Sequence, residues 1–132
     1  MPSRDKGTIR ELIRSSTMSE AEWVKEFPGA ITVSNAEGGI LAMNDKSAEV
    51  FREDGGATLV GRNVLDCHPE PARSKLRDML ESGRANVYTI QKNGRRKLIY
   101  QSPWYRDGKY AGLVELSLEI PWEMPHFNRD RG

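Results

Sequence analysis

The sequence predicts an α+β domain: a five-stranded antiparallel sheet with helices over one face, plus helices flanking it at the N-terminus. Three observations predict it. Apolar residues recur at helical spacing before Pro28 and again after Pro69. Between and beyond these stretches, short apolar runs are joined by loops rich in Gly, Asn and Asp, as antiparallel hairpins require. The last run, Tyr110–Ile120, alternates apolar and polar with a period of two. With 132 residues, 37% of them apolar, the chain is one domain's worth and can bury about two-thirds of its extended surface without staples.

The elements follow in order. Ile9, Leu12 and Ile13 fall at i, i+3 and i+4 on a short helix interrupted by Ser15, Ser16 and Thr17. Ser19 with Glu22 forms a capping box for a second helix carrying Trp23 and Phe27, ended by Pro28 and Gly29. Ala30–Asn35 and Ile40–Asn44 read as a hairpin around Ala36–Gly39. Asn44 and Asp45 suit the cap of a short helix, although Val50 next to Phe51 also suits a buried strand. Thr58–Val64, around Gly61, is too brief to type.

After Pro69, Ala72, Leu76, Met79 and Leu80 line one face of the clearest helix, and Gly83 stops it. Three strands follow, Ala85–Gln91, Lys97–Tyr105 and Tyr110–Ile120, joined by Asn93-Gly94 and Asp107-Gly108 turns. Val114, Leu116, Leu118 and Ile120 are expected to face the core, with Glu115, Ser117 and Glu119 toward solvent.

Composition narrows function. Lys plus Arg number 20 against 19 Asp plus Glu, a formal net charge of +1, which gives no global field for nucleic acid. Lys92, Arg95, Arg96 and Lys97 surround a tight turn and read first as a solvated hairpin. The single cysteine, Cys67, excludes an intramolecular disulfide framework. No apolar run has signal-peptide length or approaches the roughly 18 residues of a membrane span, so a cytoplasmic protein with no membrane partner is expected. No phosphate-binding glycine loop, zinc-protease helix or nucleophile elbow is present, so the sequence offers little for an enzyme.

The densest chemistry lies in GRNVLDCHPEPAR, Gly61 to Arg73. His68 precedes Pro69 near the start of the clearest helix, where backbone N–H groups favour a neutral imidazole, the form that binds iron. The plainer alternative has Asp66 or His68 capping the helix and Cys67 serving as a small buried hydrophobe. A structural zinc site lacks ligands, whereas haem needs only one or two from the protein. Cys67 near a helix N-terminus is also a candidate redox thiol. Tyr100 and Trp104 share strand parity, so they either stabilise the sheet or line one pocket face. Met79, with Met43, is a core filler or an iron ligand.

The order of elements from Trp23 to Ile120 resembles a PAS domain. ITVSNAEGGILAMNDKSAEVF is similar to its first hairpin and following helix, and GRNVLDCHPEPARSKLRDML to its connecting segment and long helix. VYTI, KLIYQSPWY and AGLVELSLEI are similar to its last three strands. The G-R-x-V-x-D-C-H-P segment resembles a bacterial and archaeal PAS subgroup. The resemblance implies a sensor with a ligand pocket between sheet and long helix, bordered here by His68, Cys67, Met79, Tyr100 and Trp104. Haem on His68 is one cofactor it implies. Flavin is less favoured, because LDCHPE departs from the reactive-cysteine motif of flavin photosensors.

The expected organisation is an N-terminal helical flank at 1–28, a PAS-like sensor domain at 29–121 and a C-terminal tail at 122–132. The expected function is sensing of a small apolar or planar ligand, with output through a homodimer formed by the N-terminal helices or through a signalling partner protein. A ligand-free dimerisation or protein-interaction module is the first alternative. A haem or redox sensor using His68 and Cys67 is the second.

Overall fold

The computed structural model describes residues 22–131, without the side chain of Cys67. The helix expected around Ile9–Ile13 and the Ser19 cap lie outside the described residues, as does the expected role of the Cys67 thiol. The described chain begins with a short helix α1 (Glu22–Lys25), then strands β1 (Ala30–Ser34) and β2 (Ile40–Met43), and helix α2 (Asp45–Val50). Three 3-10 turns, Arg52–Asp54, Gly56–Leu59 and Val64–Cys67, lead to helix α3 (Ala72–Ser82). Strands β3 (Asn86–Lys92), β4 (Arg95–Arg106) and β5 (Lys109–Ile120) complete the domain.

The five strands form one sheet in the order β2-β1-β5-β4-β3, every pair antiparallel. The two later hairpins close as expected. Asn93 and Gly94 have φ of 53° and 73°, and Asp107 and Gly108 of 51° and 79°, so both turns twist in the same sense as the strands they join. Bringing β5 beside β1 demands Gly112, because a Cβ there would run into the carbonyl oxygen of Ser34.

Asn44 decides the helix-or-strand alternative that follows β2. Its Oδ1 accepts from the Ser47 N–H at 3.0 Å, capping α2, and from the Ile31 N–H at 2.9 Å. Its Nδ2 donates to the carbonyls of Val24 at 3.0 Å and Gly29 at 2.9 Å. One buried amide thus fastens α1, β1 and α2 together, supplying donors and acceptors that the chain crossing would otherwise leave unpaired.

Two expectations need correction. The first concerns β5, whose alternation is real but whose parity is inverted. Leu113 and Glu115 look toward the helices and line the space beneath them, which turns Val114, Leu116, Leu118 and Ile120 to the other face. Leu113 and Val114 are both apolar, so the run carries no mark of which neighbour faces inward. The second concerns α3, which begins at Ala72 rather than directly after Pro69. Each proline of Pro69-Glu70-Pro71 steers the residue before it away from helical geometry. The cap comes from Glu70, not Asp66 or His68. Its carboxylate accepts from the Ser74 N–H at 3.0 Å and the Ser74 hydroxyl at 2.9 Å, and these bonds hold the Glu70 carboxyl below its ordinary pKa. At the other end Gly83 adopts the left-handed conformation expected of a helix stop.

Candidate functional site

Between the sheet and α2, α3 and the 3-10 turns lies a cavity of two adjoining lobes, about 130 and 210 Å³ in volume. They share His68, Leu76, Gln101 and Glu115. The smaller lobe is walled by Ile40, Phe51, Leu59, Leu76 and Leu113. The larger one is bordered by Met79 and Ala72 of α3 and by Asn86 and Tyr88 of β3.

A polar row crosses the floor. Asn86, Gln101, Glu115 and Thr32 are cross-strand neighbours on β3, β4, β5 and β1. Asn86 Nδ2 donates to Gln101 Oε1 at 3.1 Å, and Gln101 Nε2 donates to Glu115 Oε2 at 2.6 Å. The Thr32 hydroxyl is paired with that of Ser47 on α2. Gln101 is 8% exposed, and its two partners fix the orientation of its amide. Burial, and then the charge of Glu115, push the Tyr88 phenol above its ordinary pKa.

Of the residues singled out from sequence, His68 borders both lobes and Met79 the larger one. His68 Nδ1 lies 2.6 Å from the Val64 carbonyl and donates to it. The helix N-terminus expected beside His68 lies further along the chain, because α3 starts beyond Pro71. Met79 Sδ accepts from Asn86 Nδ2 at 3.7 Å. Tyr100 and Trp104 do share a face, but Gln101 lies on the cavity side and they alternate with it onto the other. Trp104 Nε1 donates to the Ser34 carbonyl at 2.9 Å, and Tyr100 is 40% exposed. Sequence reasoning missed Glu115, Gln101 and Asn86. The available signal was one polar residue in each of three strands that meet in register, readable only once the register is known.

Among the described residues on the lining, His68 is the one with a ring nitrogen of the kind that binds iron. Among the described residues no group of three or more His, Cys, Asp or Glu could hold a metal ion. No described helix is long and apolar enough to cross a membrane.

No protein-family model and no curated sequence matches the chain. Solved structures do. A C-terminal domain from Streptococcus mutans superposes with a TM-score of 0.62 at 23% identity, over 74% of this chain and 79% of that one. The Aer2 receptor of Vibrio cholerae, described as a dual PAS-haem oxygen sensor, matches with a TM-score of 0.53 at 20% identity, over 70% and 95%. The fold is the PAS fold. VqmA bound to DPO matches with a TM-score of 0.59 at 14% identity, over 80% of this chain and 58% of VqmA. At these identities the likeness carries the PAS architecture, a five-stranded antiparallel sheet with helices over one face, and no more.

Proposed function

We propose that this PAS-fold chain is a small-ligand sensor whose ligand occupies the cavity between sheet and helices. The observation that carries the reading is the cavity itself, with apolar walls above a few convergent polar groups, as ligand sites have. Its smaller lobe is close to the roughly 150 Å³ of an apolar cavity that takes up benzene, so a ring-sized planar body fits. VqmA, a match in fold, is bound to DPO in its structure, which agrees with a small ligand. Occupancy works by differential affinity, favouring one packing of α2 and α3 against the sheet and so changing the outer surface seen by a partner.

The output we assign is self-association or docking to a signalling protein through the sheet's outer face. Val87 and Tyr100 are cross-strand neighbours there, 50% and 40% exposed. The flanking helix adds Trp23 and Phe27, packed edge to face at 5.9 Å, with Phe27 and Leu118 both against Gly29. Vibrio cholerae VqmA, described as a dimer, supports the first of these outputs. The segment at Gly61–Pro69 supports the bacterial and archaeal subgroup as the finer placement.

Native mass spectrometry of freshly purified protein, with its visible spectrum, tests the reading. A noncovalent mass of one small molecule is expected, without a haem absorption band. A protein that stays empty and binds no ring-sized compound overturns it in favour of a ligand-free interaction module. Sedimentation at high micromolar concentration tests the dimer, and a monomer there overturns it.

A further inference from the structure

We propose that the ligand presents an N–H donor, and binds best as a protonated amine on a ring-sized apolar body, received by the open oxygen of Glu115. This inference rests on the ligand-binding reading above. Glu115 is half-buried and borders both lobes. Its Oε2 is engaged by Gln101 at 2.6 Å, and Oε1 receives no donor from the described residues. Gln101 cannot turn its amide round to present oxygen, because Asn86 donates to that oxygen from behind. The relay therefore points one way and ends on a carboxylate with accepting capacity to spare.

Some donors near the smaller lobe are engaged elsewhere: one of the Thr32 and Ser47 hydroxyls donates to the other, Ser34 Oγ donates to the Leu113 carbonyl at 3.4 Å, and His68 Nδ1 donates to the Val64 carbonyl. Glu115 Oε1 is left as an acceptor on a residue that borders the smaller lobe. An unshared carboxylate oxygen beside apolar walls favours a cation over an anion, and part-burial strengthens the preference over its value in water. The apolar walls and the volume of about 130 Å³ set the remainder of the ligand at about one ring.

Calorimetric titration of the full chain with benzylammonium, toluene and benzoate tests this. Benzylammonium is expected to bind about tenfold or more tightly than either other probe, as a charge-assisted hydrogen bond allows. Glu115→Gln should remove that advantage and leave toluene binding unchanged, which also reports that the variant is folded. Asp54→Asn, at the exposed end of the lining, should keep the advantage. Equal binding of toluene and benzylammonium to the unaltered protein overturns the amine inference while the cavity still takes ligands. Binding of none of the three overturns both readings. Loss of the advantage in Asp54→Asn overturns the assignment to Glu115.

Discussion

The two faces of the sheet make opposite use of the same strands. Toward the helices, β1, β5, β4 and β3 present Thr32, Glu115, Gln101 and Asn86 in one row. The next row on the other face holds Ile31, Leu116, Tyr100 and Val87. The more apolar row is thus the one without the cavity. A covered face is usually the apolar one because burial of hydrocarbon drives its covering. Here the covered face keeps polar groups, satisfied by one another and by α2, around a space left unfilled. That departure is expected where a site rather than a packed core is being built.

The comparison can be broken first at Gly112, where β5 crosses close to β1. Gly112→Val should cost about 3 kcal/mol or more, since a side chain there meets backbone that cannot step aside. Urea unfolding measures it, and a loss below about 1 kcal/mol would mean that the two strands are not held this closely. Asn44→Ala, which removes the clamp seating α2 over the polar row, should cost about 2–3 kcal/mol through a lost cap and orphaned buried partners.

Adjacent substitutions on β4 sharpen the contrast. Gln101→Leu should cost about 1–2 kcal/mol and weaken benzylammonium binding, because Asn86 and Glu115 lose their shared partner. Tyr100→Leu, one residue away on the other face, should leave probe affinity within about twofold. Equal effects at the two positions would mean that the cavity floor is wrongly assigned. The smallest effect is expected at Val87→Lys, half exposed beside Tyr100, where stability should change by about 0.5 kcal/mol or less. If the outer face is the dimer interface, sedimentation of that variant should show the monomer.

The hairpins, the capped helix after Asn44 and the Gly83 stop were all legible in sequence. Each is local, set by what a glycine, an asparagine or a proline permits within a few bonds. His68 and Met79, which border the cavity, were singled out in sequence by a motif and a helical stripe. Glu115 and Gln101 were not, and the polar half of strand alternation was assigned to solvent by default.

Sequence alone determined that there would be five strands, where each would turn, and that β5 would have two unlike faces. It did not determine which face would be covered, because a period of two is symmetrical about the strand and the Leu113-Val114 pair marks neither side. That choice was made by contacts distant in the chain: Asn44 seating α2 on β1, and β5 closing on Ser34 through Gly112. Only then do Asn86, Gln101 and Glu115, drawn from three strands, become neighbours around a common space.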